Sequence, residues 1–158
     1  MNKPEIMQWI EQWEGCRAHV YNDSRGHPTI GIGFNLDRDD ARRQIEGLGL
    51  DYYQVRAGGI DLSQEQIYCL FEADVDRAVA DAGTIVANFG SLPQAKQKVV
   101  VDMIFNLGAG GFAKFRQTIA AIETEDWPRA AREMEDSRWY HQVGRRARAN
   151  VAVMGAAV

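Results

Sequence analysis

Glu14 closes an amphipathic stretch, Asp23 follows after eight intervening residues, and Thr29 comes after five more, at the head of the run Thr29-Ile30-Gly31-Ile32-Gly33. These residue types in this order suit cleavage of a glycosidic bond. That reaction needs one carboxylic acid to protonate the leaving oxygen and a second polar group to place water or stabilise oxocarbenium-like charge. Glu14 and Asp23 supply the two carboxyls. Glutamate at a helix end and aspartate in a turn are each commonplace, so the reading rests on their joint spacing around a hairpin.

Apolar spacing shows which elements must position these groups. Pro4 suits a first helical turn, and Ile6, Trp9, Ile10 and Trp13 follow at helical intervals on one face, with Gly15 as the stop. Glu14 then sits at a helix C-terminus, where the macrodipole disfavours negative charge by only ~0.3–1 kcal/mol, so partial burial must supply the rest of any tuning toward a general acid. From Ala18 to Phe34, turn chemistry at Asn22 to Gly26 predicts a hairpin that brings Asp23 and Thr29 to neighbouring positions. Asp37 to Asp61 predicts a short helix near Asp39 to Ile45, then loop or strand.

Further along, Ser63 and Gln66 fit a capping box, and Leu62 with Ile67 fits a hydrophobic staple, so a long helix starts here and should end near Gly83. Ser91-Leu92-Pro93 opens an apolar helix that reaches Gly108. Phe112, Phe115, Ile119 and Ile122 define another, Asp126 caps a third, and one last short helix covers Val143, Ala147 and Val151. The expected fold is α+β, mainly α, as a single domain over residues 1–158. A small β-hairpin lobe (15–62) and a larger helical lobe (1–14 and 84–158), joined by a connecting helix (63–83), are expected to face across a cleft with Glu14 at the junction.

With 158 residues, 46% hydrophobic and 25% charged, the chain suits one soluble domain with a core. The formal charge of -4 argues against general nucleic-acid binding, although Ser137 to the C-terminus carries four arginines and no acidic residue. These arginines suit a solvated face with one internal ion pair as well as they suit an anionic surface. No transmembrane stretch is present, and the opening residues lack the apolar core of a signal peptide, so synthesis in the cytoplasm is expected. Cys16 and Cys69 have no metal or redox spacing and read as small buried thiols. His19, His27 and His141 are too scattered to imply a metal, Gly31-Ile32-Gly33 is too short for a dinucleotide fingerprint, and no cofactor is expected.

The segment from Glu14-Gly15 through Tyr21-Asn22-Asp23 to Gly26-His27-Pro28-Thr29-Ile30-Gly31-Ile32-Gly33 closely resembles the catalytic segment of phage-type lysozymes, the T-even phage lysozyme family (glycoside hydrolase family 24). Leu70-Phe71, Asp74-Val75-Asp76, Met103 to Gly108, Trp127 with Ala130-Ala131, and Ser137 to Tyr140 extend the likeness over nearly the whole chain. The resemblance implies a lysozyme-like two-lobed fold and a catalytic trio at Glu14, Asp23 and Thr29. Glycan contacts map onto Asn35, Phe105 and Thr118, and Arg146 matches an arginine close to the catalytic acid, whose charge would oppose burial and dipole there. It further implies a monomeric endolysin-type muramidase that acts on peptidoglycan in the periplasm or cell wall, without membrane insertion and with a holin opening its route. The bond implied is the β-1,4 link between N-acetylmuramic acid and N-acetylglucosamine, cut with inversion.

Three departures stand out. Phe34 replaces a frequent histidine, Glu133 occupies a position that looks substrate-facing in relatives with a neutral polar group, and the chain ends soon after Trp139-Tyr140, as a compact variant or a domain of a longer protein would. Trp139 reads as core, whereas the resemblance makes Phe105 a cleft residue. Two rival functions are a lytic transglycosylase, which needs no positioned water, and a non-catalytic peptidoglycan-binding module. The presence of Glu14, Asp23 and Thr29 together speaks against both.

Overall fold

The computed structural model describes all 158 residues. Nine α-helices and three short strands follow in the order α1 (Lys3–Glu14), β1 (Arg17–Asn22), β2 (Pro28–Gly31), β3 (Phe34–Asn35), α2 (Ala41–Gly47), α3 (Tyr52–Arg56), α4 (Gln64–Ile85), α5 (Gln94–Ala113), α6 (Arg116–Glu123), α7 (Trp127–Glu135), α8 (Arg138–Val143) and α9 (Arg145–Gly155), with a 3-10 turn at Phe89–Ser91 before α5. The fold is α+β and mainly α, as the apolar spacing predicts. No helix is long and apolar enough to cross a membrane.

Two compact units form, one from Met1–Trp9 with Val75–Val158 and the other from Ile10–Asp74. The second holds the sheet, antiparallel in the order β1-β2-β3, with Tyr21 opposite Thr29, Asn22 opposite Pro28, and Thr29 opposite Asn35. The chain reverses between β2 and β3 at Gly31 to Gly33, so a second hairpin follows the expected one. Ile30, Ile32, Phe34 and Leu36 are buried there with Ile10, Ile45 and Phe71. Phe34 carries the Arg38 guanidinium over its ring at 4.3 Å, and Arg38 donates to both Asp40 and Asp74.

The capping box is present: the Ser63 amide donates to Gln66 Oε1 at 2.9 Å and the Gln66 amide to Ser63 Oγ at 3.2 Å. Asp126 caps α7 by accepting from the Arg129 amide at 3.1 Å. Both are local, side chain to backbone three residues on, which is why sequence alone predicts them.

Elsewhere the expectations need correction. The loop or strand after α2 contains a helix, α3, because Asp51 Oδ1 accepts the Gln54 amide at 3.0 Å and closes a first turn. Helix α4 does not stop at Gly83; it runs to Ile85, and the Val86 amide still bonds Ala82 O at 2.9 Å. The next helix does break at Gly108, where its end is expected, but the φ of 76° and ψ of 161° there make a kink after which α5 resumes. Phe112 therefore belongs to the end of α5 and not to the next helix. The single last helix is two, α8 and α9, separated at Gly144.

Both cysteines are exposed, not buried. Cys16 lies at the start of the sheet's edge strand region, and Cys69 is two residues from Ile67, which turns it about 200° from the buried stripe of α4.

The other unit packs Ile6 with Val75, Val100, Met103, Ile104, Phe112, Ile122 and Met154. Trp139 is core, as expected, and its indole N–H donates to Asn106 Oδ1 at 2.9 Å. Lys96, 2% exposed, donates from Nζ to the carbonyls of Val153, Met154 and Ala156, so it satisfies the orphan end of α9.

Candidate active site

Glu14 is the last residue of α1, and two interactions of Glu11 hold that turn in place. The Glu11 carbonyl accepts the Gly15 amide at 2.8 Å, the last bond of the helix, and the left-handed backbone of Gly15, φ 73°, ends it. Its carboxylate accepts the Tyr68 hydroxyl of α4 at 2.6 Å, and this hydrogen bond, with burial adding to it, pushes the Tyr68 phenol up to about 12.

The half-buried Glu14 side chain lies against the backbone of Gly33. A Cβ built on Gly33 would stand 2.7 Å from Glu14 Oε2 and 2.9 Å from its Cδ, closer than real Cβ contacts, and Gly33 has a φ of +66°. The glycine-rich run thus makes room for the acid as well as for the turn. Tyr21, opposite Thr29 in the sheet, also senses Glu14: burial raises its phenol above the ordinary value and the Glu14 charge adds to the rise.

Asp23 follows β1 directly. Its Oδ1 accepts two backbone amides, Arg25 at 2.8 Å and His27 at 2.9 Å, while its own amide donates to His27 O at 2.9 Å. These hydrogen bonds, led by the one from the His27 amide, hold the Asp23 carboxyl below the ordinary carboxylate range. Thr29 is 4% exposed, and its hydroxyl donates to the same His27 carbonyl at 3.0 Å. Donation to His27 commits the hydroxyl proton, so Thr29 turns lone pairs toward any further partner.

Glu14, Asp23, Thr29 and Asn35 all belong to one compact unit. Asn35 is paired with Thr29 in the sheet, and its Oδ1 accepts the Asp37 amide at 2.8 Å. Phe105, Thr118 and Arg146 belong to the other unit. Phe105 is half-buried on α5, and Thr118, 2% exposed, lines a hollow of about 720 Å³ together with Glu133, Phe115 and Trp139.

Arg146 is buried and bidentate on Asp102 of α5, with Nη2 to Oδ1 at 2.8 Å and Nε to Oδ2 at 3.0 Å, while Asn150 Nδ2 donates to Oδ2 at 2.6 Å. This is the internal ion pair of the basic segment. Arg138, Arg145 and Arg148 are exposed.

The phage lysozyme family model matches residues 11–152. The chain belongs to that family. Membership makes it a glycoside hydrolase of the lysozyme type, and the mainly helical fold with its small antiparallel sheet is lysozyme-like. Among curated relatives, the pre-baseplate central spike protein Gp5 of Enterobacteria phage T4 is 30% identical over 157 residues, which cover 94% of this chain and 27% of that protein. Probable T4-type lysozyme 2 of Dictyostelium discoideum is 28% identical over 148 residues, 89% of this chain and 87% of the relative. Peptidoglycan hydrolase gp36 of Pseudomonas phage phiKMV is 26% identical over 157 residues, 98% of this chain and 16% of the relative. The chain therefore spans most of the Dictyostelium protein but only a minor part of the two phage proteins.

Sequence reasoning gave no role to three residues that contact the candidate side chains. Gly33 is legible as a turn glycine, but its packing against Glu14 needs coordinates. Asp102 carries no signal beyond an acid within an apolar helix face. His27 is a histidine without metal spacing, yet its backbone joins Asp23 to Thr29.

Proposed function

We propose that this chain is an endolysin-type muramidase that hydrolyses the β-1,4 bond between N-acetylmuramic acid and N-acetylglucosamine in peptidoglycan. The observation that carries the reading is the Asp23–Thr29 arrangement: both residues are held on the His27 backbone, in the same compact unit as the Gly33-packed Glu14 carboxyl. Glu14 donates the proton to the leaving oxygen. Asp23, acceptor-only and anionic, offers Oδ2 to a water while Oδ1 stays committed to the backbone. Thr29 accepts that water's other proton, which leaves a water lone pair to face the anomeric carbon.

Two acceptors around one water favour a single displacement, and so inversion with the α-anomer formed first. Such a site needs carboxyls about 6.5–9.5 Å apart, against about 5–5.5 Å for direct attack by the second carboxylate. Asn35, Phe105 and Thr118 are proposed glycan contacts. The enzyme is proposed to act as a monomer on glycan strands in the periplasm or cell wall, reached through a holin-dependent route and without inserting into the membrane.

Mass spectrometry of products from purified peptidoglycan tests bond and reaction type together. Hydrolysis gives reducing muramic ends, a 1,6-anhydro product means transglycosylation, and no cleavage means a binding module. Proton NMR of fresh products reads the anomer. The Glu14→Gln variant keeps shape but has no transferable proton, so its rate should fall by about 10²–10⁴-fold; a variant retaining a tenth of the rate removes Glu14 from the role of acid.

A further inference from the structure

His27 makes two kinds of contact. Its amide and carbonyl tie Asp23 and Thr29 together, as described above. Its imidazole engages a different partner: Nδ1 stands 3.5 Å from Asp37 Oδ2, and Asp37, just beyond β3, is ion-paired with Arg56 of α3. Arg56 in turn donates to Leu36 O and to the Tyr52 hydroxyl. A continuous set of polar contacts therefore runs from α3 to the turn that fixes Asp23 and Thr29.

We propose that His27 is a positioning residue for the reaction, holding the Asp23–Thr29 pair with its backbone while its protonated imidazole anchors that backbone to the Asp37–Arg56 pair, so that the geometry of the pair responds to pH. The inference rests on the functional reading above. The carboxylates that feel the His27 side chain are Asp37, paired with Arg56 outside the turn, and Asp23, which Arg25 also affects within it. Asp37 is held below the ordinary carboxylate range, by Arg56 first and by His27 in addition. Asp23 is held low as well, chiefly by the His27 amide. Both acids are thus held toward their anionic forms, and histidine as a residue type changes charge between about pH 5 and 8. The side chains of His27 and Asp37 are 45% and 38% exposed, so solvent screens their pairing and the effect is modest.

The test is an amide NMR titration of the folded protein, with kinetics on two variants. In the wild type, the Asp23 and Thr29 amide resonances should move with the His27 imidazole. In Asp37→Asn they should cease to follow it. In His27→Gln, kcat should fall about two- to fivefold at the acid end of the measured pH range, the factor open to a partly exposed charge pair, with KM unchanged and with convergence on wild type at the alkaline end. A loss of the same size at every pH would mark a merely structural role and overturn the inference, as would Asp23 and Thr29 amides that ignore the imidazole in active enzyme. A wild-type chain that cleaves no glycan overturns the functional reading, and this inference with it.

Discussion

Gly33 sets where the Glu14 carboxyl can lie. A Gly33→Ala substitution meets two obstacles at once, a left-handed backbone that costs a residue with a Cβ ~1–2 kcal/mol and a methyl 2.7 Å from Glu14 Oε2. The first lowers Tm by a few degrees. The second displaces the Glu14 carboxyl, the proposed proton donor, and displacement on the order of 1 Å costs about 10²-fold in rate. We expect a folded Gly33→Ala variant with kcat reduced by about that factor, read by circular dichroism melting beside kinetics; a full-rate variant would dissociate Gly33 from the placement of Glu14. Asp23 shows the other residue-scale effect, a carboxyl whose folded titration lies below its unfolded one. Stability from its backbone hydrogen bonds is therefore present above the ordinary value of 3.8 and is lost as pH falls through the depressed one. The Tm advantage of wild type over Asp23→Asn should accordingly be visible at pH 6 and shrink below pH 3.8, and an advantage that persists in strong acid would assign the shift elsewhere.

At the scale of elements, two interactions differ in kind. Ser63 caps α4 at an exposed helix start, and Ser63→Ala should cost ~0.5–2 kcal/mol. The Arg146–Asp102 pair joins α5 to α9 with Asp102 fully buried, so Arg146→Ala leaves an uncompensated charge in the core and should cost ~3–5 kcal/mol. Against a total of ~5–15 kcal/mol, the second change threatens the fold and the first does not. Urea denaturation of both variants checks the ranking, and equal losses would contradict it. An activity defect in Arg146→Ala is consequently a statement about catalysis only when measured on the fraction that remains folded.

For the whole molecule, the notable feature is that one compact unit is discontinuous in sequence: Met1–Trp9 completes the unit made by Val75–Val158. Ile6 is 2% exposed there, the Trp9 indole donates to Asn150 Oδ1 at 3.0 Å, and Lys98 pairs with Glu5 at 2.9 Å. The first turns of α1 are thus core for residues far along the chain. Ile6→Ala should lower stability by ~2–5 kcal/mol and weaken hydrogen-exchange protection in α5 and α9. If protection there were unchanged, the unit would not depend on its N-terminal piece.

Sequence by itself determined what short-range physics determines. The capping residues Ser63 and Asp126, the start of α1 beside its proline and the turn after Asp23 are all legible because each rests on neighbours within a few positions. Tertiary structure decided everything that depends on what else arrives. Gly83 and Gly108 look alike as helix-stopping glycines, yet one is carried through α4 and the other kinks α5. Cys16 and Cys69 are small apolar side chains by type and exposed by placement. Asp102 and Arg146 are 44 residues apart, and nothing local announces their pairing. Glu14 and Asp23 could be chosen from spacing, but the glycine that makes room for the one and the histidine backbone that holds the other appear only when the chain folds back. Burial and ion pairing are properties of the assembled packing, whereas caps and turns are properties of the chain a few bonds long.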